Sequence, residues 1–402
     1  MKYRGFEMSK KILILTQNFY PVIGSSGNRN KNLYELLKQN GFDVTVLTTE
    51  PAYPNKNLYQ NEEFWDEQEL NNDDNIIRVK LSTNKFENTM LGRLFFYLEI
   101  TYQFRKKIRQ LKKTKDFDYV LVSTPPIFIF SAGYLASKLF KAEIILDVRD
   151  LWPDTLTGIK KLHYKPILSV FQRYEKRMYN KASKIMINSE GFRQHITEKL
   201  SQEKEIIYIP NGARKTELND DTASDFSVIY TGNLGLAQDV ERIEQLAVQL
   251  NKENIPFKVI GYGYKANDFI RYIEENALSN VTVCKPTTRK NSLEAIKSSH
   301  VSVAFLNQEE VFTTVLPGKI IDYITCKTPV IASVDGQAAN VIEKHDVGYV
   351  TRNGDIDEMV QKIKYLRDQS EEHRRLQENC EELVKKHFLW ENNITNLVKL
   401  LK

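Results

Sequence analysis

Along the chain, short β-branched runs alternate with longer stretches in which apolar residues recur at helical spacing. In the first half the runs are KILIL, DVTVLTT, IIRVKL, YVLVS, EIILDV, KIMINS and IIYIP. Strands alternating with helices are the signature of βαβ units on a parallel sheet. Near residues 216–225 the alternation lapses into ELNDDTASD, which is polar, lacks a periodic apolar face and reads as a linker. The pattern restarts with FSVIYTGNLG, FKVIGYG, VTVCK, VSVAF, PVIAS and GYV. From about residue 355 the chain reads as helical to its end, where Phe388, Trp390, Ile394, Leu397 and Leu400 or Leu401 share a face that needs a docking surface.

The expected class is therefore α/β, with two tandem Rossmann-like, doubly wound domains at residues 1–215 and 216–385 and a C-terminal helix at 386–402. Length agrees, since 402 residues exceed the roughly 250–300 at which one core stops growing. Open parallel sheets bind ligands outside the carboxyl ends of their strands, so the site is expected in a cleft between the two domains. No period of 20 to 50 residues repeats, which argues against a solenoid.

Composition narrows the class further. With 17 Gly and 12 Pro and 41% hydrophobic residues, collagen-like, disordered and disulfide-scaffold classes are excluded. Cys284, Cys326 and Cys380 are odd in number and lack metal-ligand spacing, so no zinc site is indicated and a reducing cytoplasm is expected. The run KKILILTQNF is too short to cross a membrane and reads as the first core strand. Charge divides unevenly: residues 1–215 carry 35 Lys and Arg against 24 Asp and Glu, and residues 216–402 carry 22 against 28. A basic first half suits phosphorylated substrates, anionic lipid or nucleic acid.

Six segments carry candidate chemistry. In YPVIGSSGNRN, Gly24 and Gly27 precede a helix, where backbone can approach a phosphate. The spacing is not that of a dinucleotide fold and no acidic residue closes the second strand, which disfavours a dehydrogenase. LDVRDLWPD empties an apolar strand into Asp147, Arg149, Asp150 and Asp154, a costly cluster unless it faces a polar cleft. YTGNLGLAQ offers Gly232, Asn233 and Gly235, and IGYGY offers Gly261 and Gly263, where backbone could admit a flat base. In LPGKIIDY, Lys319 and Asp322 share a helix face just after Pro317 and Gly318, so a phosphate would meet an ammonium and a helix start together. Finally, residues 91–115 are aromatic first and then carry Arg105, Lys106, Lys107, Arg109, Lys112, Lys113 and Lys115, a pattern suited either to a membrane interface or to ordinary packing.

Together these segments resemble a GT-B glycosyltransferase of family four. DVRDLWPD and TGNLGLAQ are similar to segments of the bacterial group that builds surface polysaccharides with N-acetylated aminosugars such as N-acetylfucosamine. The resemblance implies a nucleotide sugar, UDP-linked, as donor substrate on the second domain, with no further cofactor and no metal. It implies an acceptor, lipid-linked or saccharide, on the first domain, retention of anomeric configuration, and a last helix that crosses back. Donor contacts would come from Gly24, Gly27, Gly232, Asn233, Gly235, Gly261, Gly263, Arg289, Lys319 and Asp322, and acceptor contacts from Arg149 and Asp154. Asp150 or Asp147 would orient the acceptor hydroxyl and Lys319 would meet the leaving diphosphate.

Three departures from the family pattern stand out. Of a Glu-x7-Glu pair only the second position is acidic, as Asp322, and Thr314 occupies the first, which leaves Glu309 or Glu310 as substitutes. Asn233 and Gln238 stand where relatives use Arg and Lys on the diphosphate. Arg149 and Asp150 replace a His-Asp pair. Two rival readings remain at this stage: an epimerase or phosphorylase of the same architecture, and a non-enzymatic basic membrane binder. A nucleic-acid partner is disfavoured because neither a recognition helix nor an RNP-like motif is present.

Overall fold

In a computed structural model, residues 9–82, 90–158, 165–218 and 225–402 are described. The first sheet is built from β1 (Lys11–Leu15), β2 (Asp43–Thr49), β3 (Ile76–Val79), β4 (Tyr119–Thr124), β5 (Glu143–Val148), β6 (Lys184–Ile187) and β7 (Ile206–Tyr208). Its strand order is β3-β2-β1-β4-β5-β6-β7, parallel throughout. The second comprises β8 (Val228–Asn233), β9 (Phe257–Tyr262), β10 (Val281–Cys284), β11 (Val301–Phe305), β12 (Val330–Ser333) and β13 (Gly348–Val350), in the order β10-β9-β8-β11-β12-β13. Every strand read from the sequence is present. Part of the linker reading falls on residues 219–224, outside the described residues.

Helices cover both faces. In the first domain they are α1 (Ser25–Gln39), α2 (Gln68–Asn71), α3 (Met90–Leu111), α4 (Ile129–Phe140), α5 (Asp154–Gly158), α6 (Lys165–Lys181) and α7 (Arg193–Lys199). In the second they are α8 (Val240–Lys252), α9 (Ala266–Glu275), α10 (Arg289–Lys297), α11 (Glu310–Thr313), α12 (Gly318–Thr325), α13 (Gly336–Lys344), α14 (Ile356–Asp368) and α15 (Ser370–Leu383). The central strand β1 shows why its sequence is apolar without alternation: Leu13 and Leu15 enter the layer with α3 and α4, while Ile12 and Ile14 enter the layer with α1.

The end of the chain returns to the first domain. After α15 it widens at Val384–Phe388 into a turn of i→i+5 type, and Phe388 stays packed in the second domain. Ala213 and Leu389 then pair as a short parallel bridge, and α16 (Trp390–Leu401) lies on α1. Trp390, Ile394, Leu397 and Leu401 join Ile12, Leu33 and Leu37 in one core, and the Tyr119 hydroxyl donates to the Leu401 carbonyl at 3.1 Å. Leu401 is thus the buried alternative, and Leu400 only packs against the margin.

The aromatic-to-basic segment resolves into two faces of α3. Phe96, Ile100, Phe104, Ile108 and Leu111 form an inner stripe in the domain core. Phe95, Leu98 and Tyr102 face outward, 61%, 45% and 65% exposed, and exposed Lys106 and Arg109 continue that side toward Lys113. Lys115 turns inward to Thr45 Oγ1 and Asn75 Oδ1, and Lys112 pairs with Asp116. Among the described residues no helix is long and apolar enough to cross a membrane.

Candidate active site

Both sheets reverse their strand order beside a central strand, β1 in one and β8 in the other, and the loops at those carboxyl ends enclose a cavity of about 420 Å3. Two helix starts converge on it. Gly24 ends the loop after β1 at φ 94°, a left-handed conformation natural to glycine, and no side chain caps the first turn of α1. The start of α12 lies opposite, where a Cβ on Gly318 would stand 2.9 Å from Ser25 Cβ. Uncapped N–H groups from both domains therefore border one space, and Gly24, Asn28 and Gly318 line it.

Lys319 is one of three cations on this space, with Arg149 and Arg289. Its Nζ donates to the Tyr230 hydroxyl at 2.7 Å and lies 3.9 Å from the Tyr230 ring centroid. Among the described residues no carboxylate pairs with it, and burial pushes its pKa down to about 7. An ammonium desolvated by protein and lacking a carboxylate partner among the described residues is poised to receive an anion. Asp322, one turn along α12, also lines the cavity, as the shared helix face requires. Its Oδ1 accepts from Arg289 Nη1 at 2.8 Å.

Arg289 corrects an expectation. It lines the cavity as a donor contact should, but its Nε and Nη2 fork onto Glu217 at 2.6 and 3.1 Å while Nη1 holds Asp322, so two carboxylates already neutralise the guanidinium and it is not a free cation for phosphate. Glu217 was hidden in the polar linker, whose composition gives no hint of a long-range ion pair. Asn233 and Gln238 do line the cavity, and Gln238 Oε1 is a buried acceptor with no protein donor among the described residues.

The strand-five carboxylates separate into three environments. Asp150 borders the cavity and its Oδ1 accepts from Thr155 Oγ1 at 2.5 Å; burial raises its pKa, against the opposing pull of Thr155 and Arg149. Arg149 lines the same end, anchored to Ser123 Oγ and the Pro125 carbonyl at 2.8 and 3.0 Å. Asp147 does not reach the cavity. It is fully buried, bonded by Arg29 Nη2 at 2.8 Å and by Ser123 Oγ at 2.8 Å, so it is a structural counter-ion and cannot orient an acceptor. Asp154 begins α5 and turns to His195 at 3.7 Å, beside the buried Glu175–Lys199 pair, and is likewise absent from the cavity wall. The sequence pattern could not separate these four, because the turn at residues 151–153 redirects the chain after Asp150, before α5 begins.

The glycines divide similarly. Gly24 and Gly232 border the cavity. Gly27 instead packs the first turn of α1 on the Val22 carbonyl. Gly235, Gly261 and Gly263 let the loop after β8 cross the end of β9, where Leu234 N donates to the Tyr262 carbonyl at 2.6 Å; a Cβ on Gly261 would meet Leu234 Cδ1 at 2.5 Å. They are loop-packing residues, and the ring that borders the cavity there is Tyr262. Neither Glu309 nor Glu310 replaces the missing acid, since both are exposed and away from the cavity. At Thr314 the backbone joins the domains, its carbonyl accepting from Ser189 Oγ at 2.6 Å, and apolar Phe312, Val315 and Leu316 form the wall.

Comparisons with known proteins agree with this geometry. Residues 24–212 match the glycosyl transferase 4-like domain and residues 215–383 match the glycosyl transferases group 1. A curated relative is the colanic acid biosynthesis glycosyl transferase WcaI of Escherichia coli K12, 20% identical over 331 residues, which are 78% of this chain and 81% of WcaI. Among solved structures, sucrose-phosphate synthase of Thermosynechococcus elongatus superposes with a TM-score of 0.72 at 14% identity, covering 97% of this chain and 98% of the other. Anabaena HepE in complex with UDP-glucose gives 0.68 at 14% identity over 97% and 99%. With two parallel-sheet domains around one interdomain cavity and two domain matches running from residue 24 to 383, the chain belongs to the group 1, family-four-like glycosyltransferases of GT-B fold.

Proposed function

We propose that this glycosyltransferase moves a sugar, an N-acetylated aminosugar, from a UDP-sugar to a lipid-linked or saccharide acceptor, with retention, during assembly of a surface polysaccharide such as a capsule. The observation that carries the reading is Lys319, a half-buried cation that pairs with no carboxylate among the described residues and lies beside two uncapped helix starts, which suits a diphosphate. HepE, which binds UDP-glucose, and WcaI, named for colanic acid, support the donor and pathway class. The apolar wall of Phe312, Val315 and Leu316 suits a sugar in which methyl or acetyl groups replace hydroxyls.

In the reaction the bond from the anomeric carbon to the β-phosphate oxygen breaks while the acceptor oxygen bonds to that carbon on the same face. The departing phosphate oxygen takes the acceptor proton. Lys319 and the helix amides stabilise the growing phosphate charge, and Asp150 holds the acceptor hydroxyl on that same face, beside Arg149. The enzyme works on the cytoplasmic side of the cell membrane, with the outer face of α3 in peripheral contact with anionic lipid. That face is apolar at Phe95, Leu98 and Tyr102 and cationic at Lys106, Arg109 and Lys113.

Thermal unfolding with a panel of UDP-sugars tests the donor. Binding at a hundredfold over Kd adds about 2.7 kcal/mol of stability, and EDTA should leave that gain intact. A strict requirement for manganese, or no stabilisation by any uridine nucleotide, sinks the reading.

A further inference from the structure

Asp322 makes one bond to protein, through Oδ1 to Arg289, and its Oδ2 has no partner among the described residues. Arg289 is not free to wander. It opens α10, whose Thr288 cap bonds Asn291 N at 3.3 Å, and both its remaining edges are held by Glu217. Glu217 is itself fixed, because Oε2 also accepts from Arg214 N at 2.9 Å. Arg214 in turn meets Glu391 at 3.0 Å and Glu35 at 3.8 Å, on α16 and α1. Ion pairs, joined at Arg214 by a backbone hydrogen bond, therefore connect the cavity to the segment that joins the two domains. Its three central members are each only 19–28% exposed, which limits solvent screening.

We infer that Glu217 is a positioning residue for the nucleotide: by clamping Arg289 on one oxygen of Asp322, it presents the other oxygen to the paired hydroxyls of a ribose and so selects ribonucleotide over deoxyribonucleotide donors. The inference rests on taking Asp322, a donor-contact candidate on the cavity wall beside Lys319, as the group that meets the donor's ribose. The geometry has a chemical reason. Aspartate is one methylene shorter than glutamate and pivots about a single bond to its carboxyl, so an oxygen aimed at a vicinal diol needs its neighbour held. A guanidinium forked between two carboxylates supplies that restraint. The same trio carries one net negative charge, which suits a diol and repels a phosphate, and so explains why the diphosphate is left to Lys319.

The test compares UDP with 2′-deoxy-UDP, and GDP with 2′-deoxy-GDP, by calorimetric titration of the full chain. The unaltered enzyme should favour the ribose form by tenfold to about a hundredfold, the worth of one hydrogen bond to a charged group. Glu217→Gln keeps shape but loses the charge that fixes Arg289, and should shrink that ratio to within about threefold while binding of the deoxy form stays nearly constant. Arg289→Lys, which cannot bridge both carboxylates, should do the same and stands in if Glu217→Gln unfolds. If either variant weakens both forms equally, or if the ratio survives in both, Glu217 is only a structural ion pair and the inference fails. Should Asp322→Asn alone abolish the ratio, the ribose contact stands and Glu217 is released from it. Absence of discrimination in the unaltered enzyme removes both.

Discussion

At the scale of single residues, the decisive quantity is the proton on Lys319. With a pKa of about 7, its ammonium is present below that pH in free and bound enzyme alike, so donor affinity is flat there. Above it, the free enzyme must take up a proton to bind a diphosphate, and affinity should fall about tenfold per pH unit. Titrations with a UDP-sugar from pH 6 to 9 check this, and Lys319→Arg should flatten the profile. Lys319→Ala should lower kcat by more than it raises the donor KM, since its partner's charge grows only in the transition state. Asp150 has the opposite dependence. Its raised pKa means that the carboxylate is lost as pH falls, giving an acid limb in kcat/KM above the ordinary Asp range. Asp150→Asn should remove that limb and cut turnover about a hundredfold, with UDP affinity unchanged. Lys319, Asp322 and Asp150 were legible in the sequence because helix period or strand end fixed their direction. Glu217, Arg29 and Tyr230 were not, for their partners lie 72, 118 and 89 residues away.

Among elements, the central strands were legible because a parallel strand buried on both sides must be apolar along its length, and the half-exposed edge strands β3, β7 and β10 because their β-branched runs still stand between helical patterns. Glycine turns were less so: the same residue type marks a ligand-facing turn at Gly24 and a loop crossing at Gly261, and only the neighbouring chain distinguishes them. Helix α3 shows the limit of a periodicity argument, since one apolar stripe docks on the domain and a second does not. The outer stripe makes a measurable claim. Replacing Lys106, Arg109 and Lys113 by Gln should weaken sedimentation with vesicles containing phosphatidylglycerol about a hundredfold, at roughly 1 kcal/mol per charge. Phe95→Ser with Leu98→Ser should weaken it further, and neither change should alter UDP affinity. Vesicle binding that ignores both substitutions and high salt would return the face to plain solvent.

For the molecule as a whole, the returning helix holds the two domains in one relation. Trp390 is fully buried over α1 and lies 5.7 Å from the Arg29 guanidinium, which also secures Asp147 and the Ile209 carbonyl. Trp390→Ala should cost about 3–5 kcal/mol, read in denaturant titrations as loss of the first domain's transition ahead of the second. That a last helix needs a dock was legible from its apolar spacing, but its partner was not, because α1 shares no pattern with it. Synthesis gives this arrangement a further meaning. The seat on α1, formed by residues such as Leu33 and Leu37, leaves the ribosome some 350 residues before the side chains that cover it. The first domain therefore waits, with a greasy groove open, through translation of the entire second domain, and is finished only when the chain's return delivers its missing layer. Cells making this enzyme should depend on a holding chaperone during that interval, and nascent chains halted before Trp390 should be captured by it while released full-length chains are not.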